Sequence, residues 1–192
     1  MRQYLSGFFL CLAVSLAAAQ EREATRRPFD FGLKGGLNIS SLGGNDSQIG
    51  SAKAGFHAGA YLITFLSERV SLQPELVYSQ QGFQLTGQFP ARFNHNYLNL
   101  PILFRIEVGP GATVQLGPQV GYFLNRDDFG GYKQIDFGLA LGVGYALENG
   151  LNLTARYNLG FANVTESISN QVPSRTNRVF QLSLGYTFHK MD

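Results

Sequence analysis

The chain has 192 residues, with 15 Lys and Arg, 13 Asp and Glu, and one cysteine. The near balance of charge and the lack of a basic run exclude a nucleic-acid-binding surface, and a single cysteine excludes a disulfide framework or a thiolate metal site. The 23 glycines, 16 phenylalanines and 9 tyrosines favour strands joined by tight turns over a helical bundle.

The N-terminal residues have the pattern of an export signal. Arg2 supplies a basic start, residues 5–16 are mostly apolar, and Ala17 and Ala19 satisfy the small-x-small cleavage rule. We predict a cleaved signal peptide over residues 1–19, because the apolar run is shorter than the ~20 residues that a membrane-spanning helix needs. Cys11 lies inside this run, so the exported chain would contain no cysteine.

The rest of the chain alternates apolar and polar residues, which is the pattern of strands. Each alternating segment has ~10 residues or slightly more, enough to cross a bilayer when tilted. We predict eight strands near 30–39, 54–64, 69–79, 97–107, 112–124, 134–146, 151–162 and 178–188. Residues 20–29 would then be an N-terminal periplasmic segment, and residues 189–192 a C-terminal tail.

The predicted connections alternate between two kinds. Four are long and polar, at 40–53, 80–96, 125–133 and 163–177. The three between them are short turns at 66–68, 109–111 and 148–150. Asn149-Gly150 predicts a type I′ hairpin turn, because both residues tolerate a positive φ. This alternation is typical of an up-and-down barrel whose short turns face the periplasm.

The two faces of the predicted strands differ. One face is apolar and carries no charge in any strand. The other face carries the polar side chains Lys34, His57, Gln73, Glu75, Asn99, Arg105, Glu107, Gln115, Asp136, Asn152, Arg156 and Gln181. It also carries eleven glycines, namely Gly32, Gly36, Gly55, Gly59, Gly117, Gly121, Gly138, Gly142, Gly144, Gly160 and Gly185.

A soluble barrel or sandwich, with the apolar face as its core, could produce the same alternation. Glycine favours a membrane barrel, because it weakens a solvent-facing strand but fits an eight-stranded lumen that is barely wide enough for side chains. Pro74 and Pro118, on the apolar face, count mildly against regular central strands. The predicted fold is an all-β, eight-stranded antiparallel up-and-down transmembrane barrel over residues 30–188, in the cell outer membrane of a Gram-negative bacterium.

Five sequence blocks resemble the PorT-like outer-membrane β-barrel family. Residues 73–82 resemble its QPELxYSxxG block, residues 97–105 its YLxIPxLxK/R strand, and residues 116–121 its GPxxG strand. Residues 32–38 and 55–59 complete the set, so that the resemblance covers nearly all of the exported chain. It implies a small outer-membrane barrel, and the founding member of the family is tied to a secretion system.

The charges on the glycine-rich face suggest a filled lumen. We expect Glu75 and Arg105 to pair on neighbouring strands, with Lys34, Asp136, Arg156 and Glu107 joining a network that plugs the pore. A narrow passive channel lined by the same residues is the alternative. Eight strands leave little open bore, so we favour the plug.

The sequence gives no support for catalysis or metal binding. His57, His95 and His189 are predicted on a strand, a loop and the tail, without ligand spacing. An outer-membrane hydrolase remains a third alternative, with His95 approaching Asp46 or Ser79. We predict no catalytic, cofactor-binding or metal residues, because no positioned triad is visible.

The function predicted from the sequence is that of a structural or interaction protein of the cell envelope. The loop at 80–96 carries Phe83, Leu85, Phe89 and Phe93, which could form a contact surface for a partner. The expected partners are outer-membrane lipid, an envelope or secretion protein, and the β-barrel assembly machinery during insertion. The aromatic end of the last strand, residues 179–188, resembles a segment that this machinery recognises.

Overall fold

Strands account for nearly all of the structure. The computed structural model describes residues 29–43, 52–85, 91–125, 134–161 and 176–188, so the predicted signal peptide, His189 and Asp46 lie outside the described residues. The strands are β1 (Asp30–Gly43), β2 (Lys53–Phe65), β3 (Val70–Leu85), β4 (Ala91–Gly109), β5 (Ala112–Phe123), β6 (Ile135–Ala146), β7 (Leu151–Gly160) and β8 (Thr176–Phe188). No helix in these ranges is long and apolar enough to cross a membrane.

The strands close into a barrel. Each strand pairs antiparallel with the next in sequence, and β1 also pairs with β8, so that Phe31 lies opposite Leu62 on one side and Phe188 on the other. Closure leaves no free edge along the membrane-spanning part, which is the condition for strands to exist in lipid. The predicted fold class is confirmed.

The connection between β3 and β4 differs from the prediction. Residues 80–96 were expected to be a loop, but β3 continues to Leu85 and β4 begins at Ala91, and the two strands pair from Gln81↔His95 to Leu85↔Ala91. The sequence in this segment is mostly polar, whereas the ladder depends on backbone hydrogen bonds, which do not require apolar side chains. A hairpin therefore extends the barrel wall at the end opposite the short turns.

One serine holds the base of this hairpin. The hydroxyl of Ser40 in β1 accepts the N–H of Gly82 at 3.0 Å and donates to the carbonyl of the same residue at 2.8 Å. Gly82 has φ 141°, a backbone conformation that other residues rarely adopt. The contact links β1 to β3 across the end of β2 and fixes where the hairpin leaves the barrel.

The turn between β6 and β7 is not the predicted type I′ turn. The N–H of Gly150 donates to the carbonyl of Leu147 at 3.1 Å, so Glu148 and Asn149 occupy the central positions. Gly150 follows them with φ 88°, as in the three-residue hairpin loops that end in a left-handed glycine. Asn149 and Gly150 thus occupy the third and fourth positions of the turn, and not the two central positions that were expected.

The outward face of the barrel is an apolar band. On β4 it runs from Leu98 to Val108, a length that corresponds to about 25 Å for a tilted strand. The prediction that no charge occurs on this face is wrong at Arg178, which is exposed on the outward side of β8. Arg178 lies two residues beyond Phe180, the last apolar residue of its row, where a cation reaches the headgroup region.

Three prolines interrupt the ladders along one side of the barrel. Pro74 pairs with Ile102 of β4, and Pro118 pairs with Leu139 of β6. The pairing skips Pro74 on the β2 side, Pro101 on the β3 side and Pro118 on the β4 side. Each proline lacks an N–H, so it loses the bond to its preceding strand. Pro74 and Pro118, which counted against regular central strands, therefore lie in continuous strands and interrupt only the local pairing.

Candidate functional site: the barrel lumen

The middle of the lumen is built around one carboxylate. Glu75 accepts two hydrogen bonds from the Arg156 guanidinium, at 2.7 and 2.8 Å, and a third from Lys34 Nζ at 2.6 Å. Gln73 Nε2 donates to Glu75 Oε1 at 2.7 Å, and Gln115 Oε1 accepts from Arg156 at 2.8 Å. The Arg156 and Glu75 side chains are 2% and 0% exposed. We call these five residues the Glu75 cluster; it joins β1, β3, β5 and β7.

The expected partner of Glu75 was wrong. Arg105 lies opposite Ser71 in the β3–β4 register, four residues along β3 from Glu75 and nearer the short turns. The cations that do reach Glu75 come from β1 and β7, across the lumen. In a narrow barrel, long inward side chains reach residues on the opposite strands, and not only those on the neighbouring strand.

Two further predicted members of the network lie elsewhere. Asp136 is near the hairpin end of the lumen, where its Oδ2 accepts from Asn177 at 3.3 Å. Glu107 is exposed at the opposite end, beside the short turns. Of the four residues expected to join the pair, Lys34 and Arg156 are confirmed as partners of Glu75, and the other two are not.

A second buried layer is centred on His57. Its Nδ1 lies 2.8 Å from Asn38 Oδ1 and its Nε2 lies 2.7 Å from Ser183 Oγ. Gln181 Nε2 donates to the same Asn38 oxygen at 3.0 Å, and Gln181 Oε1 accepts from Asn158 Nδ2 at 2.9 Å. Sequence parity placed His57 and Gln181 inside the barrel, but it missed the contributions of Asn38, Asn158 and Ser183.

The Ser183–His57–Asn38 order is that of a nucleophile, a base and an orienting group. All three side chains are buried, with His57 1% and Asn38 0% exposed. The three cavities described below are lined by none of them. The hydrogen bonds of these three side chains join β1, β2 and β8.

The hydrolase alternative involves His95 with Asp46 or Ser79, and of these Asp46 lies outside the described residues. His95 was placed on a loop, but it lies in β4 with its side chain buried and its ring edge-on to Phe123, 5.4 Å between centroids. Ser79 Oγ accepts from Asn38 at 2.9 Å and from Gln81 at 3.0 Å. Among the described residues, no group of three His, Cys, Asp or Glu side chains could hold a metal ion.

Glycines let the walls come close to one another. A Cβ on Gly36 would collide with the carbonyl oxygen of Leu182, and one on Gly117 with the carbonyl oxygen of Ile102. These positions admit no side chain unless the backbone shifts. The eleven predicted glycines all lie on the inward rows, so the expected small-radius lumen is present.

The remaining space in the lumen is small. Two cavities, one beside the Glu75 cluster and one near Asp136, have volumes of about 10 Å³ each. A volume of ~10–15 Å³ holds a single water molecule. The described lumen is therefore filled by side chains around the Glu75 cluster, as the plug hypothesis predicts.

A larger cavity opens at the short-turn end. Its volume is about 170 Å³, and we call it the vestibule. It is lined by Arg105, Glu107, Ser71, Thr113 and Asp30, together with residues of the β2–β3 and β6–β7 turns. In outer-membrane barrels the short turns face the periplasm, so the vestibule opens on that side.

Comparison with known proteins agrees with this architecture. The structure of neisserial surface protein A (NspA) has a TM-score of 0.59 and 13% identity, covering 82% of this chain and 97% of that one. OprG from Pseudomonas aeruginosa (TM-score 0.49, 14% identity, 85% and 98% covered) and Ail from Yersinia pestis (0.49, 12%, 84% and 100%) are more distant. At such identities the likeness to NspA shows the fold alone. No curated protein sequence matches.

Family membership is shown by the sequence itself. Residues 18–166, well over half of the chain, match the model of the family described as outer membrane protein beta-barrel domain. The closed barrel, its lipid-facing apolar band and the export signal expected from the sequence are consistent with the same location. The chain belongs to the outer membrane protein β-barrel domain family, and its place is the cell outer membrane.

Proposed function

We propose that this barrel is a non-enzymatic structural or interaction protein of the cell envelope that does not conduct solutes. The observation that carries the proposal is the Glu75 cluster, which fills the lumen where a channel would need an open path. A charged plug of this kind costs desolvation, and two cations on one carboxylate with further amide partners offset that cost. The same cluster fixes how β1, β3 and β7 face one another, which suits a rigid scaffold.

The protruding β3–β4 hairpin is the proposed contact element. The outward apolar rows end at Tyr78 on β3 and Leu98 on β4, and both strands continue beyond them. The pairing of β4 with β5 begins at Tyr97↔Phe123. Among the described residues, the backbone N–H and C=O groups of residues 91–95 of β4 therefore have no partner in β5. Such a strand edge can pair with an extended segment of another protein.

We further propose that the chain is PorT-like and that its partner belongs to a secretion or envelope-assembly apparatus. The five sequence blocks support the assignment, and the structure gives one of them a role: the block at 73–82 supplies Glu75 and Gln73 to the cluster. Outer-membrane lipid and, during insertion, the β-barrel assembly machinery complete the proposed partners.

Site-specific photo-crosslinking in the native bacterium tests the proposal. A photoreactive residue at Leu85 or Ala91, at the end of the hairpin, should yield a discrete protein adduct that mass spectrometry identifies as an envelope or secretion component. The matched control is Leu100, which is 50% exposed at mid-membrane on the outward face of β4 and should capture lipid only. Adducts from the hairpin that contain only lipid or assembly machinery would overturn the proposal.

A further inference from the structure

The vestibule is the largest of the cavities described in this structure, and neither the plug nor the hairpin explains it. Its volume of about 170 Å³ compares with the ~150 Å³ cavities that hold a molecule as large as benzene. It can therefore take a ligand of roughly six to eight non-hydrogen atoms. It opens toward the periplasm, whereas the Glu75 cluster closes the lumen above it.

One side of the vestibule is suited to a carboxylate. Arg105 lines both the vestibule and the small cavity above it. Ser71, directly opposite Arg105 in the register, and Thr113 line the same cavity, and both residues are buried. A guanidinium fork with two hydroxyl donors matches the oxygens of a carboxylate.

The other side is suited to a cation. Glu107 lies two residues from Arg105 on the same face of β4, so the two side chains start ~7 Å apart. Glu107 lines the vestibule, and its negative charge interacts with Arg105. Asp30 adds a second negative charge near Arg105. A simple anion would be repelled by these carboxylates, and a simple cation by Arg105. Glu68 and Arg69 also line the vestibule, so its lining holds three acids and two bases. A ligand that carries both charges can meet groups of each sign.

We propose that the vestibule binds a small zwitterion of the amino-acid class, with its carboxylate on Arg105 and the hydroxyls and its ammonium group on Glu107. The span of an α-amino acid, a few ångströms between its two charges, fits between side chains that start ~7 Å apart on one strand face. This site is independent of the proposed hairpin contact, so either proposal can fail while the other stands.

Binding to the full-length barrel in detergent micelles, measured by calorimetry or by ligand-observed NMR, tests the site. Alanine should bind saturably, whereas N-acetylalanine, which lacks the ammonium group, and alaninamide, which lacks the carboxylate, should bind at least tenfold more weakly. Arg105→Gln should weaken alanine binding at least tenfold. Glu107→Gln should also weaken alanine binding, and it should reduce the difference in affinity between alanine and N-acetylalanine.

The matched control is Arg178→Gln, which removes a guanidinium at the other end of the barrel and should leave alanine affinity unchanged. Heat-modifiable gel migration checks that each variant is folded. Absence of saturable alanine binding, equal affinity of N-acetylalanine, or full affinity in folded Arg105→Gln would each overturn the proposal.

Discussion

Glu75 and Arg156 stand 81 residues apart in sequence, on strands that are not neighbours in the barrel, yet their side chains meet in a two-point ion pair at 2.7 and 2.8 Å. Lys34 reaches the same carboxylate from a third strand. The ion pair therefore crosses the lumen and does not link two neighbouring strands. A bidentate pair also fixes the angle at which its two strands face each other.

Breaking this cluster should destabilise the barrel strongly. Glu75→Gln leaves Lys34 and Arg156 buried without a counter-charge, so we expect the free energy of unfolding to fall by ~3–5 kcal/mol. Denaturant unfolding of the protein refolded in lipid vesicles measures this. Arg178→Gln, exposed on the outward face, should change stability by no more than ~0.5 kcal/mol.

Replacement of the three charged residues of the cluster separates the contribution of charge from that of packing. In a variant with Lys34, Glu75 and Arg156 all changed to Met, no unpaired charge remains, and most of the lost stability should return. If Glu75→Gln cost less than about 1 kcal/mol, the cluster would not be the structural centre of the lumen.

The filled lumen predicts an absence of conductance. Purified wild-type protein in planar bilayers should show no stable ohmic current, because the cavities within the lumen hold about one water each. Changing Lys34, Glu75 and Arg156 together to Ala should produce small, discrete current steps. Large and stable currents from the wild-type protein would instead support the narrow-channel alternative.

Two adjacent glycines in β1 provide a matched test of barrel closure. A Cβ at Gly36 would strike the backbone of β8, whereas a Cβ at Gly35 would lie 3.6 Å from the carbonyl oxygen of His57, an ordinary contact. Gly36→Ala should therefore slow or prevent folding, and Gly35→Ala should not. The fraction of protein with folded gel migration before heating reports the result. Equal folding of the two variants would show that β1 and β8 are not packed this closely.

The sequence predicted the barrel because strand parity is a local property. Whether a side chain points into the barrel depends only on its position along its own strand. The twelve predicted polar residues and the eleven glycines were therefore assigned correctly to the inward face from the two-residue period alone. Parity also located the lumen, which is where the charged cluster lies. Lys34 and Arg156 were identified as lumen residues for the same reason.

Partners within the lumen could not be predicted in the same way. Which inward residues meet depends on the height of each strand, set by the stagger of the whole barrel. Arg105 is on the strand next to Glu75 but lies opposite Ser71, and Arg156 lies across the bore at the right height. The hairpin was missed because its polar side chains resemble a loop while its backbone pairs as a ladder.

The proline row predicts where the barrel wall is least protected. Residues 62–63 of β2 and 102–103 of β4 lie at gaps in the ladders beside Pro74 and Pro118, whereas the β7–β8 ladder is continuous from Leu151 to Leu159. Hydrogen exchange of amides at these gaps should be at least tenfold faster than in β7, because fewer ladder bonds oppose local opening. Mass spectrometry of peptides covering these strands measures the difference. Pro118→Val restores an N–H toward β4 and should slow exchange at 102–103 while leaving 62–63 unchanged. Uniform protection around the barrel would contradict the assignment of these gaps to the prolines.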